Sequence, residues 1–218
     1  MIRGVLFDMD GVLVDSGAAH LESWRVLARR HGRDISDAEF RAAFGCTSRE
    51  IIRLLWGSEL SDAEVQRRDS EKEIAYRDLI RTQVPLMPGC CETLAELQNH
   101  GLKLAVATSG PPENLELVLR EADLTAYFTA TVNGRDITRG KPAPDCFLLA
   151  ARRLGLPPAA CVVIEDAPVG VEAGRAAGMP VIALVGTYPP ERLRAAGATC
   201  VVQSLREITP ELLKTVGT

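Results

Sequence analysis

Two aspartates near the start of the chain are the residues best placed to do chemistry. Asp8 and Asp10 end an apolar run and stand just before Gly11. We expect a strand over residues 5–10. Residues two apart on a strand point to the same face, so both carboxylates should project together from its carboxyl end. Two carboxylates so close repel each other unless a cation lies beside them or one is protonated. The pair therefore indicates a catalytic Mg²⁺ site.

Three further segments place polar residues where other strands should end. Thr108 and Ser109 follow one apolar run, Lys141 precedes a proline-rich helix start, and another apolar run ends in Glu165 and Asp166. Together they supply what phosphoryl transfer needs. Carboxylates hold Mg²⁺ through oxygen, and a hydroxyl and a lysine can hold phosphate oxygens. A carboxylate can also be the nucleophile and form an aspartyl-phosphate.

Each of these residues also has a plainer interpretation. An aspartate pair can cap a turn, Lys141 can be solvated, and Thr108 can cap the next helix. Glu165 can either touch a metal or orient Lys141, and the sequence leaves both open. The second pair of acids, Glu165 and Asp166, favours the catalytic interpretation of the first pair.

The elements that position these residues follow from the apolar pattern. We expect strands over 5–10, 103–108, 128–132, 162–166, 181–185 and 199–202. We expect helices between them, for example over 89–100, 144–154 and 169–177. Apolar strands that alternate with helices predict an α/β fold, a Rossmann-like parallel sheet with helices on both faces. Ligands of such folds bind beyond the carboxyl ends of the strands.

Residues 16–84 lack a strand pattern, which predicts a small α-helical unit inserted after the first strand. A helix is expected from about residue 16 to residue 31. Three Ser/Thr-x-x-Glu signatures, typical of capping boxes that open helices, begin at Ser36, Thr47 and Ser61. We therefore divide the chain into a catalytic core of residues 1–15 and 85–218 and a helical domain of residues 16–84.

The composition argues against several classes of protein. The chain has 218 residues, 46% of them hydrophobic, and a net charge of −4 with scattered basic residues, unlike a nucleic-acid binder. No apolar stretch approaches the ~20 residues of a membrane span, and no signal peptide is expected because a strand begins at once. Six cysteines without a CxxC pair favour reduced thiols. We expect a cytoplasmic monomer with no nucleic-acid or membrane partner.

Three motifs occur in a characteristic order. They are Asp-x-Asp-Gly-Val-Leu-x-Asp-Ser at 8–16, Lys-Pro-x-Pro-Asp at 141–145 and Glu-Asp-x-x-x-Gly at 165–170. With them the chain resembles the haloacid dehalogenase superfamily of phosphotransferases. It is most similar to the branch of sugar-phosphate phosphatases and β-phosphoglucomutases, in which an α-helical cap follows the first strand. The resemblance covers the whole chain and implies that residues 16–84 are the cap.

The resemblance implies a catalytic pair and a metal site. Asp8 would attack phosphorus. Asp10 would be the general acid for the leaving oxygen and then the general base for the next acceptor. Mg²⁺ would be bound by Asp8, by the carbonyl of Asp10 and by Asp166, with Glu165 in or beside the metal shell.

It also implies binding residues in both domains. Thr108, with Ser109 beside it, and Lys141 would bind the phosphoryl group. In the cap, His20 and Arg49 match residues that contact the substrate in mutases and sugar phosphatases. His20 could instead be a packed helix residue, and Arg49 could be a surface residue.

The function expected from these features is that of a Mg²⁺-dependent phosphatase of a small phosphorylated sugar or related metabolite. The alternative is a β-phosphoglucomutase-type mutase, which must protect its aspartyl-phosphate from water; His20 and Arg49 fit both. A 2-haloacid dehalogenase needs neither a metal nor the second aspartate, so Asp10 argues against it. A non-catalytic relative should have lost a core residue, and none is missing.

Overall fold

The chain folds into two compact units. A computed structural model describes residues 1–36, 39 and 47–217. One unit comprises Met1–Asp15 and Val84–Thr218, and the other comprises Ser16–Gln83. Among the described helices, none combines the length and the apolar character that crossing a membrane would require.

The first unit is built on a parallel sheet of six strands in the order β3-β2-β1-β4-β5-β6. The strands are β1 (Gly4–Phe7), β2 (Lys103–Ala107), β3 (Phe128–Val132), β4 (Cys161–Glu165), β5 (Val181–Leu184) and β6 (Cys200–Val202). Every residue of β1, β4 and β5 is buried, which explains why these strands read as continuous apolar runs. The α/β, Rossmann-like fold expected from the sequence is confirmed.

Helices connect the strands and form the second unit. The described helices are α1 (Gly17–Arg30), α2 (Ser48–Trp56), α3 (Asp62–Ile80), α4 (Cys90–Asn99), α5 (Pro112–Glu121), α6 (Asp145–Arg153), α7 (Pro168–Ala176), α8 (Pro190–Ala195) and α9 (Pro210–Val216). In the sheet unit, buried side chains such as Phe147 of α6 and Val171 of α7 pack with Val163 of β4 in one core. This packing fixes the carboxyl edge of the sheet.

The predicted end of the first strand is wrong. β1 stops at Phe7, three residues before Asp10. The chain turns at once, because the amide of Leu13 donates to the carbonyl of Met9 over 2.9 Å. Asp8 and Asp10 therefore follow the strand instead of sharing one of its faces. The other expected strands, and the helices expected over 16–31, 89–100, 144–154 and 169–177, agree with the structure to within one residue at each end.

The helical unit has its own small core. Trp24 and Leu27 of α1 pack with Ile52 and Leu55 of α2 and with Val65 of α3. These positions recur at helical spacing, so each helix turns one apolar stripe inward.

The three expected capping boxes differ in outcome. At Thr47 the box is complete, since its hydroxyl accepts from the Glu50 amide and the Glu50 carboxylate accepts from the Thr47 amide. At Ser61 the hydroxyl caps α3, but the Glu64 carboxylate bonds to Arg67 and Arg68 instead. Ser36 and Glu39 make both bonds of a box, while residues 37, 38 and 40–46, which include Cys46, lie outside the described residues.

Candidate active site

A buried lysine joins two carboxylates at the carboxyl edge of the sheet. The Nζ atom of Lys141 lies 2.6 Å from Oδ1 of Asp8 and 2.7 Å from Oε1 of Glu165. Asp8 follows β1 and Glu165 ends β4, and the parallel register that pairs Phe7 with Ile164 brings the two acids side by side. The side chains of Lys141, Asp8 and Glu165 are 8%, 10% and 2% exposed. One cation thus faces two anions out of water.

Asp166 adds a third carboxylate to this group. One oxygen from each of Asp8, Glu165 and Asp166 can be chosen so that all three lie within 4.8 Å of one another. Asp166 is buried, and its Oδ2 accepts a hydrogen bond from the hydroxyl of Thr187, in the segment after β5. The sequence analysis missed Thr187, because no motif marks it and only the neighbouring strand brings it to Asp166.

Burial and neighbouring negative charges raise the pKa values of two carboxyl groups in this cluster. Burial, helped by the charges of Glu165 and Asp10, raises the pKa of Asp8 to about 7, although Lys141 opposes the rise. Burial, followed by the charges of Glu165 and Asp8, also raises the pKa of Asp166. Burial alone would lower the pKa of Lys141, but Asp8 and Glu165 outweigh it and raise that pKa. A second source of positive charge would stabilise the carboxylates in their ionised form.

The donor set fits Mg²⁺. The ion prefers oxygen ligands and takes one or two carboxylates together with water and phosphate oxygens. Asp8 and Asp166 offer buried carboxylate oxygens close together. A divalent cation there would balance charges that Lys141 alone leaves uncompensated. These residues could therefore hold a magnesium ion.

Two glycines leave room for the acids. A Cβ atom at Gly170 would lie 1.7 Å from Oε1 of Glu165, and one at Gly11 would lie 2.1 Å from Oδ2 of Asp166. Gly11 also has a φ of +78°, a conformation that favours glycine. The final glycine of the Glu-Asp-x-x-x-Gly motif thus has a direct physical cause, which is the carboxylate packed against it.

The expected phosphate-binding residues lie at the same edge. Thr108 follows β2, the neighbour of β1, and is buried, whereas Ser109 is exposed. The hydroxyl of Thr108 accepts from the amide of Gly110 over 3.0 Å. It does not cap α5, whose N-cap residue is Pro111. The alternative role of Thr108 as a helix cap is therefore wrong.

In the helical unit, His20 contacts a lysine that the sequence analysis missed. Nδ1 of His20 lies 2.9 Å from Nζ of Lys72, and the His20 ring stacks on Tyr76 with centroids 4.1 Å apart. The two nitrogen atoms are thus within hydrogen-bond distance of each other. Lys72 lies on the buried stripe of α3 with Val65 and Tyr76. The sequence signal that could have revealed Lys72 is a lysine among the buried apolar positions of α3.

Arg49 has a different hydrogen-bond partner. It is exposed, and its Nη2 donates to Oε1 of Gln66 over 2.9 Å. Burial and then the charge of Glu73 raise the pKa of Asp69, while Lys72 and Arg49 oppose the rise. Asp69 is therefore near both cations. His20 and Arg49 each have a polar side chain as hydrogen-bond partner, Lys72 and Gln66 respectively.

Comparisons with known proteins find matches over most of the chain. A family model described as haloacid dehalogenase-like hydrolase matches residues 2–178. β-Phosphoglucomutase of Bacillus subtilis is 33% identical over 97% of this chain and 94% of its own. Hexitol phosphatase A of Escherichia coli is 34% identical over 95% of this chain and 93% of its own. The crystal structure of an Entamoeba histolytica hydrolase of family IA superposes with a TM-score of 0.92, at 26% identity over 99% of both chains.

Proposed function

Because the chain belongs to the haloacid dehalogenase-like hydrolases, we propose that it is a Mg²⁺-dependent phosphatase of a small phosphorylated sugar or related metabolite. It is an enzyme that acts on phosphate esters, as its relatives do. The observation that carries the proposal is the placement of Asp8, with Lys141 on one of its oxygens and Asp166 beside it. A nucleophile, a phosphate-binding cation and a metal ligand thus meet at one sheet edge.

Asp8 begins the reaction as the nucleophile. The Asp8 oxygen that does not bond to Lys141 attacks phosphorus, and an aspartyl-phosphate forms as the ester P–O bond breaks. Asp10 donates a proton to the leaving alkoxide and then takes a proton from the water that attacks the intermediate. The products are an alcohol and inorganic phosphate, and Asp8 is regenerated.

The remaining core residues bind and balance charge. Thr108, Ser109 and Lys141 hold the phosphoryl oxygens. Mg²⁺, held by Asp8, the Asp10 carbonyl and Asp166, would offset the negative charge of phosphate and carboxylates. Glu165 acts beside the metal shell and orients Lys141. Its Oε1 accepts from Lys141 and its Oε2 from two backbone amides.

The helical unit serves as the cap in this proposal. His20 and Arg49 contact the part of the substrate distant from phosphorus, and residues 16–83 supply the specificity. We also propose that the enzyme works in the cytoplasm, as a monomer, without a nucleic-acid or membrane partner. The described cysteines are free thiols, which suits a reducing compartment.

A phosphate-release screen over sugar and sugar-alcohol monophosphates tests the proposal. We expect Mg²⁺-dependent release from at least one sugar phosphate, and no release in excess EDTA. Full turnover in EDTA, or no release from any phosphate ester, would contradict it.

The mutase remains the second candidate, since one relative is a β-phosphoglucomutase. The same preparation should therefore be tested with β-glucose 1-phosphate. Conversion to glucose 6-phosphate faster than phosphate release would select the mutase. Asp8 and Asp10 would keep their roles, but a sugar hydroxyl would replace water as the acceptor.

A further inference from the structure

The helical unit carries a set of polar side chains that the proposed mechanism uses only in part. We call this set the polar face, and its six members are His20 of α1, Arg49 of α2 and Gln66, Asp69, Lys72 and Glu73 of α3. Asp69 lies three or four positions from each of the other α3 members, a spacing that brings the side chains of a helix together. Arg49 bonds to Gln66, and His20 lies 2.9 Å from Lys72, so all three helices contribute to the face.

Each of the two cations of the polar face has a carboxylate close to it. Oε1 of Glu73 lies 2.8 Å from Nζ of Lys72. Asp69 is half-buried, and burial followed by the charge of Glu73 raises its pKa, while Lys72 and Arg49 oppose the rise. Asp69 is therefore close to both Lys72 and Arg49. Positive and negative charges are thus interleaved, and hydrogen-bond donors and acceptors lie side by side.

Such a face suits hydroxyl groups better than a phosphate group. A sugar hydroxyl can donate to a carboxylate and accept from a lysine or an arginine at the same time. A phosphate group carries a charge of about −1.5 to −2 at pH 7, and Asp69 and Glu73 would repel it. Partial burial strengthens that repulsion, because water screens the charges less. A like charge placed at the site is an effective means of rejecting one class of ligand.

We propose that Asp69 and Glu73 are specificity-determining residues that restrict the enzyme to sugar monophosphates and exclude sugar bisphosphates. The end of a monophosphate distant from the reacting phosphorus is uncharged, whereas that of a bisphosphate carries a second phosphate. The inference rests on the proposed function, in which the helical unit contacts this distant end.

The inference also favours the phosphatase over the mutase. In a mutase, the aspartyl-phosphate gives its phosphoryl group to a hydroxyl of a sugar phosphate, so a sugar bisphosphate forms and the aspartate is regenerated. That bisphosphate must bind with one of its phosphates at the distant end. Carboxylates at the polar face would weaken this binding, whereas a phosphatase never needs it.

Direct binding tests the inference without turnover. Asp8→Asn, which should hold its ligands without consuming them, is titrated in a calorimeter at constant free Mg²⁺. The ligands are glucose 6-phosphate, glucose 1,6-bisphosphate, fructose 6-phosphate and fructose 1,6-bisphosphate. We expect each monophosphate to bind about tenfold more tightly than the bisphosphate of the same sugar, or more, as like-charge repulsion predicts. Asp69→Asn and Glu73→Gln, each added to Asp8→Asn, should reduce this ratio by about tenfold, because bisphosphates then bind more tightly and monophosphates less tightly.

Glu22→Gln provides the matched control. Glu22 lies on α1 and pairs with Arg29, outside the polar face. Its variant removes the same charge from the helical unit and should leave the ratio of affinities unchanged. A merely structural role of Asp69 or Glu73 would instead weaken the binding of both classes of ligand alike and lower the melting temperature.

Several outcomes would overturn the inference. One is a bisphosphate that binds Asp8→Asn as tightly as its monophosphate, a result that needs no change in the polar face. Another is a ratio that Asp69→Asn and Glu73→Gln leave unchanged, or that Glu22→Gln shifts as much. These results would leave the proposed function standing. A chain that binds no phosphate ester of either class, and whose wild type releases no phosphate, would contradict the proposed function and the inference with it.

Discussion

A buried lysine lies in each unit, and the two are held in different ways. Lys141 of the sheet unit is 8% exposed and pairs with the carboxylates of Asp8 and Glu165. Lys72 of the helical unit is 4% exposed and pairs with the carboxylate of Glu73, at 2.8 Å. Aromatic rings form much of its surroundings, with Nζ 5.6 Å from the centre of the Trp24 ring. The first lysine is one member of a charge network, and the second is a charge covered by a small apolar core.

In the proposed function, this difference would separate chemistry from recognition. Removing water from Asp8 and Lys141 strengthens the electrostatic interactions on which phosphoryl transfer depends. A lysine beside a histidine and aromatic faces can instead donate hydrogen bonds to a variety of groups. If the comparison holds, changes in the sheet unit should affect every substrate, and changes in the helical unit should affect some substrates more than others.

The largest effect is expected at Asp8. Asp8→Asn should lower turnover by about 10⁴-fold or more on any phosphate ester, as for other removed nucleophiles, because an amide is a poor nucleophile. Asp10→Asn should lose less, about 10²–10⁴-fold, since it removes only acid–base help. Phosphate release measures both losses, and circular dichroism checks that the variants fold. Turnover of Asp8→Asn near the wild-type rate would contradict the assignment of Asp8 as the nucleophile.

The two lysines should differ in their contribution to stability. Lys141→Met leaves buried carboxylates uncompensated and should lower the free energy of unfolding by about 3–5 kcal/mol. Lys72→Met puts an apolar side chain among aromatic rings and leaves the carboxylate of Glu73, which is 14% exposed, without this partner. It should therefore lower the free energy of unfolding by less than Lys141→Met does. Urea unfolding in EDTA measures both. Equal losses would mean that the two lysines are held alike.

The two units also differ in how much of their structure the sequence could predict. The sheet unit was predictable because apolar strands and the proline-rich helix start after Lys141 are local signals. The end of β1 was not, since the hydrogen bonds of the turn after Phe7 override the apolar pattern. Lys72 and Thr187 escaped because their partners lie 52 and 21 residues away. Their contacts depend on how helices and strands pack, which no local motif encodes.

Two glycines should respond in opposite directions to alanine. Gly170→Ala would place a Cβ atom 1.7 Å from the Glu165 carboxylate, so it should cost about 2 kcal/mol of stability, as overpacking does, and lower activity on all substrates. Gly17→Ala meets no atom within 4 Å and should add roughly 0.5 kcal/mol, since alanine is the better helix residue. Thermal unfolding of both variants measures these two changes in stability. A neutral Gly170→Ala would show that the Glu165 carboxylate can move freely.

The smallest and most selective effect is expected at Arg49. Its planar guanidinium suits sugar hydroxyls or a second phosphate, and it is exposed apart from its bond to Gln66. Arg49→Ala should lower kcat/KM on the best sugar phosphate by about tenfold, the scale of one lost charged hydrogen bond, and leave p-nitrophenyl phosphate almost unchanged. The small substrate offers the arginine no distal polar group, while Asp8 and Lys141 serve both substrates alike.

A neighbouring arginine provides the control for this test. Arg53 donates to the carbonyls of Ser58 and Leu60 and pairs with Asp62, so its bonds hold the α2–α3 turn. Arg53→Ala should lower the melting temperature and reduce activity on both substrates in the same proportion. Proportional losses in Arg49→Ala as well would mean that Arg49 supports the fold, and no loss on either substrate would leave it a surface residue. Only a selective loss makes the helical unit the source of specificity, because it shows one charge there acting on the sugar while the chemistry at Asp8 continues unchanged.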